Sequence, residues 1–172
     1  RGLNPRPRGR APTRQVRGLW LSAARSQLFN EALALRVEQA NWQQALPGER
    51  LQLRGSRSHF LAESPDAEIQ GRVASGDIQP TGPLFGAGAP LVSGRVQALE
   101  SQIVEAYPDW ITGLVKAGLG QERRALSLMP EHLMMRPLEG DDLDGEGLLL
   151  RFTLPSGSFA TALLRELVDW VE

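Results

Sequence analysis

The sequence predicts an α+β fold, and three observations carry that prediction. Helical periodicity runs without interruption from Trp20 to about Gln39. Short strand-like runs occur in two separate groups, one between Leu51 and Ala62 and one between Arg123 and Leu154. Further helical segments lie between those groups and after the second, and no stretch of the chain repeats another.

The opening, RGLNPRPRGRAPTRQVRG, is a run of prolines, glycines and arginines that cannot pack a core and reads as a loop. The helix from Trp20 has Ser22 available as a cap, and the LPG at Leu46 to Gly48 ends the turn that follows it. At ~100° per residue, Leu28, Phe29, Ala32, Leu33, Leu35 and Val37 share one broad face, and Gln27, Glu31, Ala34 and Glu38 lie opposite. Arg25 and Arg36 fall inside the apolar face. Next, RLQLRGSRSHFLAE predicts two short strands, Leu51 to Leu53 and Ser58 to Ala62, joined by a Gly-Ser-Arg turn. A short helix over Pro65 to Ala74 precedes DIQPTGPLFGAGAP, which is too punctuated by proline and glycine for regular structure. Leu84 and Phe85 in that loop are apolar and must dock somewhere. GRVQALESQIVEAYPDWITGLVKAGL supplies a helix from about Arg95 to Tyr107 and a shorter one after Pro108.

Beyond a boundary expected near Gly118 to Glu122, the pattern changes. RRALSLMPEHLMMRPL and GLLLRFTL are strand-like, and the acidic, glycine-rich EGDDLDGEG between them suits an exposed hairpin loop. In the second strand Leu148, Leu150, Phe152 and Leu154 face one way, and Leu149, Arg151 and Thr153 the other. A helix is expected from there to residue 172.

With 172 residues the chain is long enough for one ordinary domain or two small ones, and for a real core. No apolar run approaches the roughly 20 residues of a membrane span and no secretory signal opens the chain, so the expected location is the cytoplasm. There are no cysteines, and His59 and His132 stand far apart without ligand spacing, so no metal site is expected. The formal net charge of −1 conceals an asymmetry. Arg1 to Phe60 holds eleven arginines against Glu31, Glu38 and Glu49, and the rest of the chain is acidic. Eighteen of the nineteen basic residues are arginine, which grips phosphate in a two-pronged fork, so their clustering fits a polyanion footprint.

Several residues stand out chemically. A guanidinium in the apolar face, as at Arg25, must be paired, because desolvating it alone costs several kcal/mol on the usual scale. Its partner is either a carboxylate elsewhere in the fold or an RNA phosphate. Arg14 and Arg17 precede the helix, where phosphate contact and a solvated linker are both open. Asp141, Asp142, Asp144 and Glu146 lack the order of a calcium loop and read as solvated. Asp77 and Asp109 are isolated carboxylates, and no nucleophile elbow, phosphate loop or dinucleotide fingerprint is present. In LPSGSFATALLREL, Phe159 sits in the expected first turn of the last helix, roughly 110° from the centre of its apolar stripe. It can extend the core or face a cleft. Gly157 and Ser158 leave the backbone before it open, with amides free for an anion.

RGLWLSAARSQLFNEALALRV resembles the corresponding helix of the TruD family of tRNA pseudouridine synthases. LQLRGSRSHFLAE, DIQPTGPLFG, QERRALSLMPEHL and LLLRFTLPSGSFATALLREL follow in that family's order. EGDDLDGEG and the neighbouring MMRPLEG depart from its more aromatic version at a hairpin tip. The resemblance implies isomerisation of uridine 13 of tRNA to pseudouridine, with no metal or organic cofactor, in a protein that is monomeric when intact. It also implies an inserted α/β domain over residues 1–120, incomplete at its N-terminal side, followed over 121–172 by the C-terminal strand pair and helix of a pseudouridine synthase core. Phe159 then packs beside the target uracil, Gly157 and Ser158 shape that wall, and Arg14, Arg17 and Arg25 are candidates for RNA contact. The family's catalytic aspartate lies in a G-x-K-D-x-x-A motif, which is absent here; Gly76-Asp77 and Gly140-Asp141 have no lysine and the wrong context. No catalytic residue is therefore assigned in this chain. It is expected to be a C-terminal portion of a longer enzyme, inactive alone, with an exposed edge and apolar surface in its last part. The competing expectation is a non-catalytic RNA-binding domain acting through its basic first part.

Overall fold

A computed structural model describes residues 13–138, 147–155 and 158–168. It confirms a mixture of helices and antiparallel sheet. The chain divides into two compact units, the first ending at Leu126 and the second beginning at Ser127.

The first unit opens with helix α1, Arg14–Glu38, which starts six residues before the expected Trp20. Thr13 is the reason: it is extended at φ −60°, ψ 158°, and its side-chain oxygen accepts from the Val16 amide at 3.3 Å, satisfying a first-turn donor. Ser22 therefore lies inside the helix and caps nothing. Leu28, Phe29 and Ala32 are buried as their spacing requires, whereas Val37 is exposed. The sheet consists of β1 (Glu49–Leu53), β2 (His59–Ala62), β3 (Ile78–Leu84) and β4 (Glu122–Ala125), all antiparallel, in the order β2-β1-β3-β4.

Strand β3 corrects the expected loop at DIQPTGPLFG, and it is central rather than peripheral. It divides its partners along its length, pairing with β1 from Ile78 to Pro80 and with β4 from Thr81 to Leu84. The Pro80 carbonyl accepts from the Leu126 amide at 2.9 Å, so its donorless nitrogen points beyond the end of β4, where the ladder requires no N–H. Gly82 leaves space for α1. A Cβ there would stand 2.7 Å from Phe29 Cε2 and 2.8 Å from Leu126 Cδ2. Phe85, just past the strand, does dock, packing with Leu28, Ala32, Ile103 and Leu114.

Three short helices complete the unit. Asp66 caps α2 (Ala67–Ala74), accepting from the Ile69 amide at 2.9 Å. Helices α3 (Gly94–Ala106) and α4 (Pro108–Lys116) meet at Tyr107, with Pro108 opening α4, where a missing donor costs nothing.

Two arginine–glutamate pairs are buried between these layers. Arg36 lies 2.8 Å from Glu49, and Arg123 lies 2.8 Å from Glu100 while also donating to both oxygens of Thr81. Burial raises the pKa of Glu49 and Glu100 above the ordinary glutamate value of 4.5, against the lowering pull of Arg36 and Arg123. A carboxyl with a raised folded pKa keeps its proton in the folded chain at pH values where the unfolded chain has released it. Its contribution to stability is complete below 4.5 and is lost as pH climbs through the raised value. The unfolding free energy of the wild type relative to Glu100→Gln is therefore expected to fall as pH rises above 4.5. Urea melts of both proteins across that range measure this, and a relative stability that grows with pH contradicts it.

In the second unit, the run RRALSLMPEHLMMRPL is not one strand. Its first part is β4, in the sheet of the first unit; after Pro130 it resumes as β5 (Glu131–Leu138), which pairs antiparallel with β6 (Gly147–Thr153). His132, at φ 52°, accompanies a register shift between Glu131 and Met134. Along β6, Leu150 and Phe152 are half-buried, and Leu149, Arg151 and Thr153 are exposed, as the alternation predicts; Leu148 is exposed against it. Leu133, Met134 and Met135 are also exposed. Helix α5 covers only Ala160–Leu164, followed by a turn through Leu167 where a continuing helix is expected; residues 169–172 lie outside the described residues. The acidic run Asp141, Asp142, Asp144 and Glu146 lies outside the described residues. Among the described residues no helix is long and apolar enough to cross a membrane.

Candidate nucleic-acid interface

Among the described residues, arginines of the basic N-terminal third fall into two populations. Arg14 and Arg17 project from the first turns of α1 into solvent and form no ion pair among the described residues. Both lie on the helix itself, not on a preceding loop, because Thr13 starts the helix before them. Arg54 and Arg57, on the turn between β1 and β2, are exposed as well. Arg36 belongs to the other population: it is 4% exposed and fully engaged inside the fold.

Arg25 is held internally too. One of its terminal nitrogens donates to the carbonyls of Leu84 and Gly120, both at 2.8 Å, and the other lies 3.3 Å from Glu122 Oε2. The side chain ties α1 to the end of β3 and to the segment leading into β4. Of the two partners weighed for Arg25, the carboxylate is present, joined by two backbone carbonyls that the helical period could not reveal. Asp77 is paired as well, with Arg72 at 2.6 Å, whereas Asp109 sits in the first turn of α4, where a negative charge complements the helix dipole.

In the second unit, Phe159 precedes α5 in extended conformation, at φ −112°, ψ 125°, so it is not in the first helical turn. It is 72% exposed, so it packs into no core formed by the described residues. Its carbonyl accepts from the Ala162 amide at 3.0 Å, and the Ser158 amide donates to the Pro155 carbonyl at 3.2 Å. That bond uses one of the amides expected to be free for an anion, and a five-residue helix adds little dipole to attract one. Gly157 lies outside the described residues. Arg14, Arg17 and Arg25 share the first unit, and Ser158 and Phe159 the second. Among the described residues no group of three or more His, Asp or Glu side chains is placed to hold a metal ion.

Comparison with known proteins decides the family. The profile of tRNA pseudouridine synthase D (TruD) matches residues 10–167. The chain belongs to the TruD family. Among its TruD relatives, the tRNA pseudouridine synthase D of Nitrosococcus oceani is 46% identical over 163 residues, which are 94% of this chain and 43% of the relative. That of Xanthomonas campestris is 46% identical over 173 residues, 99% of this chain and 45% of the relative. The chain thus spans less than half the length of the curated relatives it matches. A crystal structure of a TruD protein from Methanosarcina mazei superposes with a TM-score of 0.64 at 22% identity, covering 83% of this chain and 36% of that one, and shows the shared fold.

The exposed aromatic residues of the first unit were not singled out by sequence reasoning. Trp20 on α1 and Trp110 on α4 flank an open cleft of about 510 Å³. The available signal was modest: Trp20 lies away from the buried face of the helix, as an indole meant for the core does not.

Proposed function

We propose that this chain is part of a tRNA pseudouridine synthase that converts uridine 13 of tRNA to pseudouridine in the cytoplasm, acting as a monomer when intact. The observation that carries the reading is the TruD match across residues 10–167. In the reaction the N1–C1′ glycosidic bond breaks and a C5–C1′ bond forms; the C5 proton leaves to water and N1 takes up a proton. The fold must supply an aspartate to break the first bond, a wall against which the freed base turns, and a basic track for the RNA. Phe159, with Ser158 and Gly157 before it, is proposed for the wall, since an exposed ring on an extended residue is available to stack on a base. Arg14 and Arg17 are proposed for the track, and Arg25 for positioning the helix that carries them. The inserted domain is proposed to cover residues 1–120 and the core segment 121–172, a reading supported by the division of the chain into two compact units close to that boundary.

The aspartate is proposed to lie outside residues 1–172, because the G-x-K-D-x-x-A motif does not occur within them. The exposed apolar side chains of β5 and β6 are consistent with further core strands packing there. Tritium release from tRNA carrying 5-tritiated uridine tests this. The 172-residue chain alone is expected to release none, and release by it overturns the assignment of the aspartate to other residues. The basic, unpaired start of α1 favours a second reading, a non-catalytic RNA-binding domain. A gene product with the aspartate motif upstream decides for the enzyme, and one without it decides for the binding domain.

A further inference from the structure

The cleft between α1 and the α3–α4 junction has no role in the reading above. Trp20 is 62% exposed and Trp110 44%. Trp20, Ala23, Ala24 and Gln27 form one side of the cleft, and Tyr107 and Trp110 the other. The rings of Tyr107 and Trp110 are 5.9 Å apart and tilted by 57°, a contact that fixes the second wall. The two alanines leave the floor open. Large aromatic surface gathered on one shallow, open face, where it gains nothing from folding, marks a contact site.

Polar groups narrow the occupant. Gln27 Nε2 donates to Glu31 Oε1 at 2.7 Å, and because a carboxylate only accepts, the amide orientation is fixed. The Gln27 carbonyl oxygen has no protein donor among the described residues and is left as an acceptor. Arg17 precedes Trp20 by three residues and Arg14 precedes Arg17 by three, so consecutive turns of α1 carry cation, cation and indole on adjoining parts of its surface. Flat aromatic faces, one acceptor and a phosphate-binding edge match the three chemical parts of a nucleotide: a π face, an N–H edge and a phosphate. Asp109, next to Trp110 in the chain, disfavours phosphate on the α4 side and leaves it to the arginines.

We propose that this cleft stacks an unpaired base of the bound RNA on Trp20 and Trp110, with the adjoining phosphates held by Arg14 and Arg17. The proposal rests on the RNA-modifying reading and adds to it a recognition site on the first unit. A paired base in an A-form helix presents no free face, so the site selects single-stranded or looped RNA over duplex.

The test uses the full chain with a fluorescein-labelled oligouridylate and a fully paired RNA hairpin, titrated at several salt concentrations. Trp20→Ala and Trp110→Ala are each expected to weaken oligouridylate binding by about fivefold to a hundredfold, with an unchanged slope against log salt. Trp20→Phe keeps most of the affinity, and because the indole is exposed, Trp20→Ala keeps the melting temperature. Arg14→Ala and Arg17→Ala each flatten the slope by about 0.7. Unchanged affinity in both tryptophan variants overturns the proposal, as does equal weakening toward the hairpin. A changed oligomeric state in Trp20→Ala without loss of RNA binding overturns it in favour of a protein contact. Failure of the wild-type chain to bind either RNA at low salt also overturns it, while the tritium assay decides the enzymatic reading separately.

Discussion

Arg36→Met is expected to cost the first unit about 3–5 kcal/mol of unfolding free energy, the usual result of stranding a buried charge. The guanidinium donates through Nε to Asn41 Oδ1 at 2.6 Å, through one terminal nitrogen to Glu49 Oε2 at 2.8 Å, and through the other to the carbonyls of Asn41 and Gln44 at 2.9 Å. Glu49 is fully buried, and its second oxygen has no hydrogen-bond partner among the described residues. Without Arg36 its carboxylate retains only a long bond from the Leu46 amide at 3.4 Å. The carboxyl then takes up a proton, and its pKa, already raised by burial, rises further. The Gln44 carbonyl also loses its Arg36 donor, and the Asn41 carbonyl keeps only the Gln44 amide at 3.1 Å. The double variant Arg36→Met with Glu49→Met removes both charges while keeping volume, and is expected to recover most of the loss. Urea melts of the two single variants and the double one close the thermodynamic cycle. A single variant within about 1 kcal/mol of wild type contradicts a structural role for the pair.

That pair also shows how far the sequence could be read. The helical period placed Arg36 inside an apolar stripe, which signals a buried partner, but the partner is on β1, and no periodicity specifies which strand meets which helix. The same limit governs the arginine-rich third as a whole. Its charge points to a polyanion, yet the fold withdraws Arg25 and Arg36 from solvent and leaves Arg14 and Arg17 exposed. Strand β3 was illegible for a different reason. Its prolines and glycine argue against a central strand, and they fit only because its partners change halfway and because Phe29 needs the space above Gly82. Thr13 was hidden by the proline-rich context that made the opening look like a loop throughout. Phe159 falls on the flank of a helix only if the apolar stripe continues into a helix longer than the one that forms. The cleft itself was not legible, since Trp20 and Trp110 come to flank it only through the packing of α1 against α4. Family membership came from the order and likeness of whole segments, which no single physical pattern in the chain could replace.

Arg25→Ala is expected to lower the stability of the first unit by about 2–3 kcal/mol, the scale of charge-assisted hydrogen bonds lost from a partly buried site. The ion pair supplies little of this, because Glu122 is 65% exposed and water screens it. The Leu84 and Gly120 carbonyls supply most of it. Arg25→Lys is expected to fall between, since an ammonium lacks the planar fork that reaches several acceptors at fixed geometry. The consequence for RNA follows from position. Arg25 fastens the part of α1 that carries Ala24 and Trp20, so its loss loosens the cleft and weakens RNA binding through geometry. Removing a direct phosphate contact would instead flatten the slope of log affinity against log salt by about 0.7–0.9. Thermal melts and salt titrations of Arg25→Ala therefore separate the two roles. Lower stability with an unchanged slope makes Arg25 the residue that holds the helix in place. A flattened slope at unchanged stability makes it part of the phosphate track, despite the internal partners seen here.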